Sequence, residues 1–181
     1  LRRTKFIWYM IVSEHTIRDI VATIPAIQIN SNTLSKPKFH WGDADELNRY
    51  VQVMKEGSYP LIWLLPSPDN YEGALGQDLT KECSFIIATR ETRQSLFNNE
   101  RYKTSFDLVL QPLTENLIHG LTVSNATSRI GDNWKILKLP NYSAESEKNG
   151  TIDLWDAISL TIEIRFNSNL KCLNTISYVS K

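Results

Sequence analysis

The chain has 181 residues, enough for one domain that buries roughly 70 % of the surface its unfolded chain exposes. It is 41 % apolar and 22 % charged, with 20 basic residues against 20 acidic ones. That balance argues against a dedicated nucleic-acid binder, which shows a basic excess, but a near-neutral surface favours association with other proteins. Two cysteines, Cys83 and Cys172, are too few for a disulfide framework and lack metal-ligand spacing. No apolar run is long enough to span a bilayer.

Residues 1–9 read as an N-terminal extension ahead of a start at Met10. The basic and apolar opening is about as short as a secretory signal allows, carries bulky Trp and Tyr and has no small-residue cleavage site after it. A start at Met10 is therefore the favoured reading over a signal. Ser13 then opens a helix whose Ile17, Ile20, Val21 and Ile24 fall on one face, and Pro25 stops it. Ile27, Ile29 and Leu34 suggest a short strand. Asp43, with Glu46 three residues on, caps a second helix with Leu47, Tyr50, Val51 and Met54 inward and Gly57 at its end.

Tyr59 to Pro66 is a continuous apolar run between prolines and predicts a strand buried on both faces. Residues 67–80 read as a loop, and Cys83 to Thr89 as a second strand. Tyr102 to Leu121 carries the widest helical stripe, and Pro112 inside it predicts a kink or a division into two. Trp134 to Leu139 predicts a third strand and residues 141–150 a second long loop. In the last long strand Ile158, Leu160, Ile162, Ile164 and Phe166 alternate with polar residues. Thr175–Val179 suggests an added edge strand. The chain thus reads as an α+β domain over 10–167, a mostly antiparallel sheet with helices on one face, followed by a tail at 168–181.

Chemistry is hard to find in this pattern. His40, Asp43, Asp45 and Glu46 are metal-ligand types, but acidic residues also suit a helix N-terminus and no second cluster completes a site. His15 reads as an exposed first-turn residue and His119 as a satisfier of late helix carbonyls. Nucleophile elbows and phosphate-cradling glycine loops are absent. Cys83 opens an apolar strand and reads as a core residue. The reading is therefore non-enzymatic, with no catalytic, cofactor-binding or metal residues and no cofactor. Thr161, Glu163 and Arg165, on the polar side of the last strand, are the candidate subunit-interface or lumen-facing residues.

The order of segments resembles the tail-terminator or tail-completion (neck) proteins of tailed bacteriophages. The resemblance lies in the His40-Trp41-Gly42-Asp43 turn leading into a helix, and in the Tyr59-to-Leu65 strand. It continues in Glu100 to Phe106 running into Leu110-Gln111-Pro112-Leu113, and in Asp153 to Ile158 entering the alternating strand. It covers roughly residues 10–167. The resemblance implies a virion protein that forms a homo-oligomeric ring, commonly a hexamer. Such a ring caps the tail tube, ends its polymerisation and joins it to a head–tail connector or portal-side neck protein. It implies no membrane and no sequence-specific nucleic-acid contact. The alternative is a ligand-binding or adaptor module with a small pocket near Trp41 or Trp63.

Overall fold

The longest continuous pairing in the chain joins two 13-residue strands, β6 (Asp78–Arg90) and β9 (Trp155–Asn167). They run antiparallel in unbroken register, from Asp78 opposite Asn167 to Arg90 opposite Trp155. This is a computed structural model describing residues 12–30, 33–54, 59–72, 78–90, 97–142, 155–167 and 175–178. The outer edge of β6 is shared by β4 (Leu61–Leu65) and β5 (Asn70–Glu72). The outer edge of β9 is shared by β7 (Thr127–Ile130) and β8 (Lys135–Leu139). β3 (Lys38–Trp41) adds to β4 in parallel, because helix α2 (Ala44–Met54) crosses over between the two. A separate hairpin pairs β1 (Ile27–Asn30) with β2 (Thr33–Ser35). The fold is α+β, and all of its strand pairs but β3–β4 are antiparallel among the described residues.

Period-two alternation sends the strands' side chains to two faces. The larger core takes Ile62, Leu64, Phe85, Ile87 and the even-numbered apolar residues of β9 from Ile158 to Phe166. Helix α1 (Ser13–Thr23) closes it with Ile17, Ile20 and Val21, and Ile24 follows directly. The second face holds a smaller core of Leu61, Trp63, Ile86, Ala88, Trp155 and Ala157 under Leu47 and Val51 of α2. Most of the described helical surface thus lies on one face, and α2 covers one end of the other. β4 is buried on both faces, as its unbroken apolar run requires.

The long predicted helix divides at Pro112. The short helix α3 (Asn98–Arg101) leads into a π-helical segment, Tyr102–Leu110, and then into α4 (Gln111–Val123). Proline has no N–H to give the Leu108 carbonyl, and the preceding residue already bonds five back, Gln111 N–H to Phe106 O. Phe106, Val109, Leu110, Leu113, Leu117 and Leu121 all stay buried in the larger core despite the change of pitch. Arg101 pins the start of this helical run through a buried ion pair with Asp156 at 2.9 Å, and the same carboxylate oxygen accepts the Asn141 N–H at 2.7 Å.

Several expectations are corrected. Ser13 is the first helical residue rather than the cap and is fully buried. The predicted loop 67–80 contains β5 and the start of β6, which begins five residues before Cys83. His40 and Trp41 belong to β3, because Lys38 to Trp41 pair alongside Leu61 to Leu64. Residues 175–178 form no strand: Tyr178 docks beside the helices, its hydroxyl 2.8 Å from Thr23 Oγ1. Gly120 makes room for it, since a Cβ there would lie 2.8 Å from the Tyr178 hydroxyl and 3.0 Å from Ile20 Cγ2. The extension 1–9, Gly57, residues 143–150 and most of 168–181 lie outside the described residues.

Leu117 is completely buried among Ile20-side and β9-side apolar groups of one core. Leu117→Ala is expected to cost about 2–5 kcal/mol, read as a shifted midpoint in chemical denaturation. A midpoint within error of wild type would place this helix face elsewhere.

Candidate functional site

The feature that stands out is the part of the sheet's second face that α2 does not reach. Side chains of β9 on this face pass from buried Ala157 to half-buried Ser159 and Thr161, exposed Glu163 and half-buried Arg165. Thr161, Glu163 and Arg165 therefore do share one face, as period-two alternation predicts. Their β6 neighbours are Ser84, Glu82 and Thr80. Thr161 and Ser84 meet through their hydroxyls at 3.2 Å. Glu163 stands directly opposite Glu82, a like-charged cross-strand pair that weakens the sheet locally.

The adjoining sheet edge exposes large apolar side chains between its two lysines, Lys135 and Lys138. Along β8 and the residue just before it, Trp134, Ile136 and Leu137 are 47 %, 49 % and 60 % exposed. Trp134 is fixed by its indole N–H, which donates to Gly131 O at 2.8 Å. Between Trp134, Gly131 and the end of α4 lies an open cavity of about 390 Å³, lined also by Thr122, Thr127 and Asp132. Sequence reasoning missed this edge. Its one signal was the absence of alternation in Trp134 to Leu139, which gives neither face a clean polar character.

The His40-to-Glu46 segment folds into something other than a ligand set. Asp43 Oδ1 accepts the Glu46 N–H at 2.8 Å, the predicted helix cap. His40 stacks with Tyr50 and Trp63, ring centroids 4.1 and 6.0 Å away. Burial, helped by the nearby Lys38 charge, lowers its pKa. Trp63 lies under this pair, buried, its indole N–H donating to Gly42 O at 2.8 Å. Gly42 has φ +152°, and a Cβ there would meet the Glu46 carboxylate and lie 3.0 Å from Trp63 Cζ2. Gly42→Ala is therefore expected to lower the melting temperature measurably, because strain and contact act together; an unchanged melt would mean the turn re-forms without cost. Among the described residues no group of three or more His, Cys, Asp or Glu side chains converges as a metal site would require.

Two further residues take places the sequence did not assign. His119 Nε2 lies 2.9 Å from Ser177 O and holds the C-terminal segment instead of a helix carbonyl. Lys81 occupies a core position of β6, between Leu79 and Cys83, with its side chain only 3 % exposed. Its ammonium donates to Glu14 and Asp69 at 2.8 Å each and to Ser13 Oγ at 3.1 Å. Burial alone would lower the Lys81 pKa, but the two carboxylates outweigh it and raise it. Burial likewise pushes Glu14 up, and the Lys81 hydrogen bond and charge overturn that, so Glu14 is held below its ordinary value of 4.5. Cys83, beside this network, is buried and its thiol is pushed up to about 12. It is a core thiol and not a nucleophile.

Lowered Glu14 stabilises the fold above its unfolded pKa and ceases to do so as the pH falls through its lower folded value. Wild type is therefore expected to lose stability more steeply than Glu14→Gln between about pH 5 and pH 3, measured by denaturation at each pH. Parallel profiles would show that the ion pair contributes nothing to folding.

Trp41 is the last residue of β3 and 59 % exposed, and Trp63 is buried. The cavity described above lies at Trp134, away from both of these tryptophans. Among the described residues no helix is long and apolar enough to cross a membrane. No protein-family model matches the chain. No curated protein matches its sequence either.

Proposed function

We propose that the chain is a structural subunit that assembles into a closed ring, and that the ring caps a bacteriophage tail tube and joins it to the head-side connector. The observation that carries the assembly is the exposed apolar edge of Trp134, Ile136 and Leu137. An outer edge with exposed apolar side chains between its lysines can take a further strand, and in a ring every such edge is covered. The tail role rests on the resemblance of the segments between residues 10 and 167 to tail-terminator proteins. The mechanism is geometric: a ring seated on the last tube layer occupies the surface to which the next layer would add. It needs no reaction and no cofactor. The protein would then reside in the virion neck, and in the host cytoplasm while tails are built.

Thr161, Glu163 and Arg165 belong to this reading as a lumen-facing or subunit-contact strip. Glu163 opposite Glu82 costs the monomer a little, and a cost retained on an exposed face fits a surface selected for contact. Mass photometry and negative-stain microscopy of the purified chain are expected to show rings of uniform diameter. Genes for portal, connector and tube proteins are expected beside its own. Glu163→Lys is expected to weaken ring formation while leaving the monomer as stable or slightly more so, because it replaces like charges across the strand with opposite ones. Rings indistinguishable from wild type would make this strip ordinary surface.

The second reading is a ligand-binding adaptor, and the cavity beside Trp134 favours it. An adaptor stays monomeric at all concentrations and gains thermal stability from a small molecule; a ring former does neither.

A further inference from the structure

We infer that neighbouring copies join by antiparallel pairing of β8 of one copy with β3 of the next, the Trp41 indole seating against Ile136 and Trp134. This rests on the ring reading and adds the contact that builds it.

The sheet ends in β3 on one side and in β7 and β8 on the other, and no described strand pairs their outer edges. Directions along the sheet decide how the ends can meet. β3 is parallel to β4, β4 is antiparallel to β6, and β6 is antiparallel to β9. β3 therefore runs with β9, whereas β8 runs against it. When one sheet continues into the next, β8 and the following β3 lie antiparallel, the pairing with the better hydrogen bonds.

Side-chain parity then selects the register. Trp41 pairs alongside Leu64 and Ile136 opposite Leu160, so both stand on the larger-core face. Both are far more exposed than a tryptophan and an isoleucine in a sheet need be. Setting Trp41 opposite Ile136 covers both and brings Trp41 diagonal to Trp134 and the mouth of its cavity. The same register sets His40 opposite exposed Leu137 and Lys38 opposite Leu139.

Charge supplies an independent argument for a second copy as the occupant. On the other face Gly42 falls opposite Lys135, which is exposed. The next residues along are Asp43, Asp45 and Glu46, all exposed at the start of α2, which lies on that face. A basic residue at one edge thus meets an acidic turn at the other. The contact is head-to-tail, and such contacts close into rings or run on as filaments.

The experiment is disulfide trapping in a Cys172→Ser background. Lys38→Cys and Leu139→Cys stand opposite in the inferred register and leave Trp41, Trp134 and Lys135 in place. Oxidising the double variant is expected to give covalent ladders up to the ring number, while each single variant stays uncrosslinked. Trp41→Ala is expected to raise the concentration at which rings half-dissociate by at least about tenfold, and Lys135→Glu to shift it the same way, both with unchanged monomer melting. Self-crosslinking of Leu139→Cys alone would reveal a two-fold edge contact and overturn the pairing. Wild-type rings, with no crosslinks in the double variant and no shift in Trp41→Ala, would overturn it while leaving the ring reading intact. A wild type monomeric at every concentration would overturn both.

Discussion

The unbroken 13-residue pairing of β6 with β9 is the constraint from which the rest of the structure follows. A ribbon this long has two outer edges, each too long for one of the remaining short strands. Each edge is therefore divided, β4 with β5 on one side and β7 with β8 on the other. It also has two faces that must be treated alike or unlike along its length. Helix α1 before the ribbon and the helical run between its two strands together supply the helical side of the larger core. Among the described residues α2 is the helix on the other face, so that face is a core at the Trp155 end and more open toward Glu163.

Buried charge marks the two ends of this arrangement. Lys81 draws the start of α1 and the turn before β5 onto one end of the ribbon through Glu14 and Asp69. Arg101 draws the start of the π-helical segment onto the other through Asp156. Neither pair is a strong source of stability, since desolvation offsets most of the attraction. What they provide is position. Apolar packing tolerates a helix sliding along a sheet, whereas a buried ammonium or guanidinium has one place where its bonds are satisfied. The one-residue change of pitch before Pro112 is tolerated because the helical run is fixed ahead of it.

Much of this architecture is legible in the residues themselves. The alternation from Ile158 to Phe166 and the proline-bounded run at Tyr59 identify the two strand types correctly, and the Ile17 stripe and the Asp43 cap identify their helices. The failures share a cause. β3 is four residues long, and β7 likewise, too short for a period to be read. The start of β6 was hidden because Lys81 interrupts its apolar parity, and only a buried pair of carboxylates, invisible in one dimension, makes a lysine there acceptable. The strip of Thr161, Glu163 and Arg165 was readable as a face, but that α2 stops short of it was not, because coverage depends on where a helix is placed and not on its own pattern. The apolar edge at Trp134 was equally hidden, since a run of mixed residues is ambiguous until its neighbours are known.

The acidic turn at Asp43, Asp45 and Glu46 lies at the β3 end of the sheet and Lys135 at the β8 end, with exposed Lys36 and Lys38 also at the β3 end. In the proposed pairing Lys135 falls beside that turn, so this one contact agrees with the arrangement that strand direction favours. Sheet twist then acts at each junction, because every added strand is rotated in the same sense relative to the last. Successive copies joined edge to edge are turned by a fixed angle, and the copy number of a closed ring is set by that angle. Residues at the junction, Trp41 and Ile136 above all, would therefore govern ring size as well as ring stability. The bare strip beside Glu163 lies one strand in from that junction and repeats at the same interval. In the proposed ring, a surface that is weakly charged in one copy would form a continuous belt.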